Sequence, residues 1–514
     1  MSKITDIMQN LIMSNPKRAI WFMTSMKPDF WEKQGENLAL KTFHEAAEKV
    51  PAYKDFISKH GIKDHTKIKT IDDFKKYVPL MDKDNYLRAY PLEDTALGDV
   101  TKSFALISSA GTTGKPLSIL VPKNYLKTVY PGMLALYDYF WNISENKNKR
   151  VLMICAMALG VWAGGTITPF GIKEICDRFE NFTLVNTGTD PAQIVNCLKT
   201  IGKHYEIITV FTYPSFLKLL LDYGDKENIK WEDYNIKVLC SSELIDFNLW
   251  NYFINKLHPK SKDQWCILDT YSMTETAGGT FATPFTIEVK KIAQENESIS
   301  YKIFQQKNSF GLFQFNPAGG LMESINNEII ITYSGKIPLI RYNIKDLGKI
   351  FSWQEMNEVL KNNGVNIQKE LRKDGWTKPN FQWPFLTILG RKDYAISLYG
   401  AKISPETIQF IFNQDPKIYN FKLTTSIIDN LNPHFGIFIE LQPSVELSEN
   451  EKTKMENYYS EKIVNYLLQN NFDFKDAYSI NKEVMIPKIK IFPYRKGPFQ
   501  EDIGHIKLKQ VINN

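Results

Sequence analysis

The chain reads as an α/β protein, and three observations predict the class. Between residues 103 and 268, short apolar runs recur at Ser103–Ile107, Val151–Met157, Phe182–Val185, Ile207–Phe211, Ile236–Cys240 and Trp265–Leu268, with helical patterns in many of the gaps. That rhythm is the signature of stacked βαβ units and predicts a large N-terminal body of mostly parallel sheets. From Phe285 to Arg341 the pattern turns to strands without helices, which predicts an attached small β-barrel or antiparallel sheet. Beyond about Lys392 comes a mixture of strands and one long amphipathic helix, a smaller C-terminal α+β domain of about 120 residues.

Each element has a local reason. The first hundred residues read as helices and loops, and Thr70 with Asp73 resembles a capping box ahead of Phe74 and Tyr77. Asp190-Pro191 is an N-cap with proline at the first helical position, leading into Ile194, Val195, Leu198 and Ile201 on one face. Pro214 opens a further helix, and Gly224 is expected to close it. In the antiparallel region the expected strands are Thr286–Ile292, Phe310–Phe315 and Glu328–Tyr333. In the C-terminal domain they are Tyr419–Thr424, Phe435–Leu441 and Met485–Phe492. Ser448 and Glu451 form a second capping box, opening a helix that turns Met455, Tyr459, Ile463, Tyr466 and Leu467 inward.

Composition excludes several classes. Of 514 residues 43% are apolar and 23% charged, so the chain is neither disordered, collagenous nor a disulfide scaffold. Sixty-three Lys and Arg against fifty-seven Asp and Glu leave +6, too small a surplus to imply a nucleic-acid partner. Cys155, Cys176, Cys197, Cys240 and Cys266 form no CxxC pair, which points to a reducing, cytoplasmic setting. The N-terminus lacks the pattern of a secretory signal. Twenty-two uncharged residues lie between Arg150 and Lys173, long enough for a membrane span. Gly160, Gly164, Gly165, Pro169 and Gly171 interrupt them, so a buried strand, a glycine loop and the start of a helix are expected instead, with no membrane partner.

Four motifs carry chemistry. Ser108-Ser109-Ala110-Gly111-Thr112-Thr113-Gly114-Lys115-Pro116 follows a strand directly. Its glycines let backbone approach an anion, and its hydroxyls and ammonium supply donors. It is not a Walker A loop, because Pro116 follows the lysine, and a plain turn is the other reading. Asp269-Thr-Tyr271-Ser-Met-Thr274-Glu275 ends a second apolar run, where a threonine and a glutamate can hold a phosphate oxygen and Mg²⁺, or simply form a polar strand end. Arg341-Tyr-Asn-Ile-Lys-Asp346 offers a carboxylate for the two hydroxyls of a ribose. Gly390-Arg391-Lys-Asp393 with Gly400-Ala-Lys-Ile-Ser-Pro405 is a common turn when taken alone.

In this order the four resemble the acyl-adenylate-forming superfamily. SSAGTTGKP is similar to its phosphate loop, TYSMTE to its Y-G-x-T-E motif, RYNIKD to R-Y-x-T-G-D, and GRKDYAISLYGAKISP to its hinge motif. The lead Val50-Pro-Ala-Tyr53 and TIDDFKKYVPLMDKDNYLRAYP resemble the phenylacetate-CoA ligase branch, and the resemblance runs from about residue 43 to the end. It implies a body over residues 1–391 that binds ATP and the acid, and a mobile domain over 392–514 that carries the catalytic lysine.

The resemblance also implies roles. Ser109, Gly111, Thr112, Thr113, Gly114 and Lys115 would cradle the phosphates of ATP. Ser242 and Glu243 would line the adenine, Tyr271 would stack on it, Thr274 would touch the α-phosphate, and Glu275 would bind magnesium. Asp346 would hold the ribose and Arg391 would reach the ribose or α-phosphate. Asp393 would be the hinge, Gly400 would lie near the thiol acceptor, and Lys507 would be the catalytic lysine, with Lys509 as the alternative. The implied partners are a small carboxylic acid and CoA or a carrier-protein thiol, and a homodimer is an assembly to test. Met157, Trp162, Phe211, Tyr213 and Phe281 read equally as an acyl pocket for an apolar acid or as core.

The sequence departs from the family pattern at three places. Lys345 stands where T-G-D has glycine, and Ser241-Ser242 replaces a glycine before Glu243. Forty-four residues separate Asp346 from Arg391, an added piece (Gln354 to Pro384, with Trp376 and Trp383) expected to lie beside the hinge and the acceptor tunnel. These departures bear on the acceptor more than on adenylation.

Overall fold

The computed structural model describes residues 15–108, 117–144, 148–245, 247–258, 260–261, 263–276, 278–305, 311–391, 396–403, 405, 408, 411–412, 415–428, 432–502 and 511–513. Its chain divides into two compact units, one over Met1–Ser108, Ser118–Thr212 and Leu220–Lys392, the other over Asp393–Asn514 with Tyr213–Leu219.

The first unit opens with helices Pro16–Ser25, Pro28–Lys49, Pro51–Lys59 and Ile71–Tyr77, three of which place proline in the first turn, where its missing N–H costs nothing. Thr70 and Asp73 form the expected capping box. β1 (Ser103–Ser108) then pairs with β2 (Ser118–Pro122) as a separate antiparallel ribbon rather than entering the main sheet.

The main sheet has eleven strands. Its parallel half consists of β3 (Val151–Cys155), β4 (Phe182–Asn186), β5 (Ile207–Thr212), β6 (Ile236–Ser241) and β7 (Ile267–Met273), in spatial order 4-3-5-6-7. β3 is buried along its whole length. Residues 151–172 are therefore a core strand, a loop and the start of the helix Ala163–Cys176, and no helix among the described residues is long and apolar enough to cross a membrane.

The antiparallel half consists of β8 (Gly278–Phe281), β9 (Gly311–Gln314), β10 (Leu321–Ile325), β11 (Glu328–Tyr333), β12 (Leu339–Phe351) and β13 (Phe385–Arg391). It continues from β7 in the order 8-9-13-12-11-10, so the antiparallel strands extend the parallel sheet instead of standing apart from it.

Two sequence expectations fail here for identifiable reasons. Thr286–Ile292 is not a strand but lies within the helix Pro284–Glu295, and a second helix, Glu297–Phe304, follows. Pro284 occupies the first turn, the Thr286 N–H donates to Thr283 Oγ1 at 3.3 Å and the Thr283 N–H donates to Thr286 Oγ1 at 2.8 Å, a capping box built from two threonines. The helix is buried on most sides, including at Glu288 and Lys290, so its polar residues do not mark a solvent-facing side. Gly224 does not end its helix, which runs from Pro214 to Lys226. A Cβ there would sit 2.1 Å from Cζ2 of Trp231, so this glycine makes room for an indole ring.

The added piece before β13 forms helices Trp353–Asn362 and Ile367–Lys373, and its tryptophans go into the body. Trp383 stacks on Phe381 with centroids 4.2 Å apart and meets Trp31 and Phe281 edge-on at 5.8 Å, while Trp376 meets Tyr139 at 5.2 Å and Trp265 at 5.6 Å. The insertion builds an aromatic core, and Phe281 belongs to that core.

The second unit contains a four-stranded sheet in the order 18-17-16-19. Its strands are β16 (Ile418–Ile428), β17 (Asn432–Leu441), β18 (Lys488–Phe492) and β19 (Val511–Asn513), and the small hairpin of β14 (Ile396–Leu398) and β15 (Ala401–Ile403) lies in the same unit. Ser448 caps the helix Glu449–Asn470, which buries Tyr459, Ile463, Val464 and Leu467; Met455 and Tyr466 are half-buried.

The helix Pro284–Glu295 carries an acid–base cluster with a pH signature. Burial, reinforced by the neighbouring Asp374, pushes the Glu288 carboxyl up to about 7, while Lys291 pairs with Asp374 and lies 3.6 Å from Glu288. A carboxyl that holds its proton more tightly when folded contributes stability that is full below its unfolded pKa and lost as pH rises through the folded one. The urea midpoint is therefore expected to fall between about pH 4.5 and about pH 7.5, and E288Q should flatten part of that slope. A midpoint that climbs over this range would contradict the assignment.

Candidate functional site

The site is built where the two halves of the sheet join. In β7 alternate residues face opposite ways, so Asp269 and Tyr271 share one face and Thr270 and Ser272 the other. The second pair ties β7 to β6: Thr270 Oγ1 donates to the Cys240 carbonyl at 2.9 Å, and Ser272 Oγ lies 3.0 Å from Ser241 Oγ. On the first face, the Tyr271 hydroxyl donates to Oδ2 of Asp346, and its ring lies 6.0 Å from that of Phe313. The turn Thr274–Thr276 follows directly and carries Glu275, whose Oε1 accepts from the Tyr342 hydroxyl at 3.4 Å.

Asp346 owes its position to an irregularity of β12. Asn343 is opposite Ile330 and Leu347 is opposite Glu328, so Ile344, Lys345 and Asp346 share the space of the single residue Ile329. Such bulges re-aim side chains beside functional sites. On its other edge β12 places Asp346 directly across from Arg391 of β13. Residues of three separate motifs are thus linked: Tyr271 to Asp346, Asp346 to the backbone of Arg391, and Glu275 to Tyr342 on the same strand as Asp346.

Arg341, at the head of its motif, has a structural task. Its guanidinium is buried, pairs with Glu323 through two 3.2 Å contacts, and donates to the carbonyls of Lys75 at 2.6 Å and Val78 at 2.7 Å. Just beyond, the Met81 N–H donates to the Arg341 carbonyl at 3.2 Å and the Asn343 N–H donates to the Met81 carbonyl at 2.8 Å. Tyr342 and the Met81–Asp82 segment are the participants that sequence reasoning missed, although both stood inside motifs already quoted: Tyr342 in RYNIKD, Met81 and Asp82 in PLMDKD.

Behind Tyr271, Asp269 Oδ2 lies 3.8 Å from Lys290 Nζ, both side chains nearly inaccessible, and the ammonium lies over the Trp250 ring at 5.3 Å. Burial pushes the Asp269 carboxyl up to about 7 and the Lys290 ammonium down.

Two sequence departures acquire a conformational meaning. Ser242 has φ of 73° and Lys345 has φ of 63°, both left-handed, where glycine avoids a steric cost. Ser242 and Glu243 follow β6 directly, beside β7. Thr274 lies in the turn with Glu275. Gly400 belongs to the second unit, in the turn between β14 and β15, with φ of 79°; a Cβ there would meet the Tyr213 ring at 3.2 Å. Ser109, Gly111, Thr112, Thr113, Gly114, Lys115, Asp393, Lys507 and Lys509 lie outside the described residues.

The donor set at Glu275 suits magnesium. It is one half-buried carboxylate, and among the described residues no group of three His, Cys, Asp or Glu side chains is arranged to hold a metal alone. That fits an ion bound through one protein carboxylate together with nucleotide phosphates and water.

In sequence, no family model and no curated protein matches the chain. In structure, it is similar to 2-hydroxyisobutyryl-CoA ligase crystallised with 2-HIB-AMP and CoA in the thioesterification state, with a TM-score of 0.60 over 96% of this chain and 91% of that one at 14% identity. It is also similar to an open conformation of that ligase, with a TM-score of 0.51 over 95% and 93% of the two chains, again at 14% identity. The chain has an acyl-CoA ligase fold. Within that fold, a large mixed sheet and a separate small sheet domain are what the sequence leads one to expect.

Left-handed strain at Ser242 yields a direct test. Relief of roughly 1–2 kcal/mol of strain outweighs about 0.4–1 kcal/mol of added unfolded-chain entropy. S242G should therefore stabilise the protein by about 0.5–1 kcal/mol in urea unfolding. A loss of stability would show that the serine side chain has a role of its own.

Proposed function

We propose that this protein is an AMP-forming acid–thiol ligase: it activates a carboxylic acid with Mg-ATP as an acyl-adenylate, releases pyrophosphate, and passes the acyl group to CoA. The observation that carries the reading is the convergence of Tyr271, Glu275, Asp346 and Arg391 at the junction of β7, β12 and β13. The ligase fold supports it. The lead segment that resembles the phenylacetate-CoA ligase branch favours an aromatic or otherwise apolar acid.

The obstacle to adenylation is charge, because a carboxylate has to approach a polyanionic nucleotide. In this reading the 109–115 loop and Lys115 take the phosphates, Ser242, Glu243 and Tyr271 the adenine, and Asp346 the ribose. Thr274 and Arg391 would take the α-phosphate and Lys507 the reacting oxygens. Glu275 would hold Mg²⁺, which would supply charge neutralisation. Each preorganised donor contributes about 2.7–4 kcal/mol to transition-state stabilisation. The nucleophile is already ionised, so no general base is required. Transfer to the thiol follows when the C-terminal domain turns about Asp393 and brings Gly400 to the acceptor.

ATP–pyrophosphate exchange across a carboxylic-acid library, with and without CoA, tests the reading. At least one apolar acid should drive exchange and form a thioester with CoA. Exchange that never yields a CoA thioester would move the acceptor to a carrier-protein pantetheine or an amine, and absence of exchange with every acid would end the proposal. K507A should abolish exchange yet spare thioester formation from supplied acyl-AMP. Equal damage to both half-reactions would remove Lys507 from this role.

A further inference from the structure

Lys345 stands in the bulge of β12 immediately before Asp346, and its left-handed backbone is braced at both ends. Its N–H donates to Asn343 Oδ1 at 2.8 Å, and its Nζ reaches Oδ2 of Asp82 at 2.8 Å. Asp82 is itself rigid. Its other oxygen accepts from the N–H groups of Asp84 at 2.9 Å and Asn85 at 2.8 Å, and its own N–H donates to Asn85 Oδ1 at 2.7 Å. The residue before it, Met81, is bonded to the same stretch of β12 through the Arg341 carbonyl and the Asn343 N–H, and its sulfur accepts from the Ile340 N–H at 3.4 Å.

A glycine at 345 would adopt this backbone without strain. A lysine accepts the strain and in exchange ties the bulge to a second, independently rigid segment. The bulge is what aims Asp346, which is 8% exposed, toward Tyr271. The ion pair is partly exposed and adds little to global stability, but it fixes the register of three residues that face only one partner residue on β11.

We infer that Lys345 and Asp82 are positioning residues for nucleotide selection: their ion pair holds the β12 bulge so that the Asp346 carboxylate meets the ribose hydroxyls of ATP. The inference rests on the proposed role of Asp346. It does not depend on which acid or acceptor the protein uses.

Calorimetric titration of the full-length protein with Mg-ATP and with Mg-2′,3′-dideoxy-ATP tests it, because a ribose-positioning role vanishes when the hydroxyls are gone and a general structural role does not. D82N and K345A should weaken ATP binding about fivefold and dideoxy-ATP binding little. K345G should lose less than K345A, since glycine takes the left-handed backbone freely. D82N keeps a capping side chain and adds no backbone strain, so it carries the test if K345A does not fold. An unchanged preference for ATP in D82N, or equal weakening for both nucleotides, overturns the clamp. D346N separates the two claims: if it abolishes the preference for ATP while D82N leaves it intact, only the clamp falls. If D346N leaves the preference intact, the ribose reading of Asp346 falls and the clamp with it.

Discussion

A carboxylate largely withdrawn from water must be held by something, and Asp346 is held by a tyrosine hydroxyl from a different strand. The link joins β7, the last parallel strand, to β12, deep in the antiparallel half. The two halves of the main sheet are thereby in register at the one place where the chemistry needs them to agree. On the same strand β12, Asp346 is opposite Arg391 of β13 and Tyr342 approaches Glu275, so the contacts gather on one strand.

Much of the fold was legible because burial and sequence pattern coincide. The apolar runs of β3 and β5 are buried where they were expected, since parallel strands covered on both faces need continuous apolar residues. Asp190, Ser448 and Thr70 announced their helices by capping chemistry alone. The helix Pro284–Glu295 was illegible for the opposite reason. It buries a glutamate 3.6 Å from Lys291 of the same helix and a lysine 3.8 Å from Asp269 of β7, so polarity ceased to report exposure. Gly224 misled similarly, because its small size answers Trp231 rather than a chain reversal.

The site was legible at the level of motifs and not at the level of geometry. Spacing in the sequence could suggest that Asp346 and Tyr271 act together, but a bulge has no sequence signature when its left-handed residue is lysine rather than glycine. The same holds for Ser242. Both positions look like losses of a glycine when read as letters. In three dimensions both retain the backbone that glycine would have served, and at Lys345 the side chain supplies an anchor in return. Trp383 of the insertion packs on Trp31 of an N-terminal helix, and Trp376 packs on Tyr139 and Trp265.

The guanidinium of Arg341 gives the N-terminal helices a significance beyond packing. Two of its donors end on main-chain oxygens at Lys75 and Val78, which no side-chain replacement can remove. Excising the segment would take away both main-chain acceptors and leave the buried guanidinium with Glu323. The Lys75–Val78 segment is therefore not detachable, and any version of this protein trimmed from its N-terminal side has to retain it.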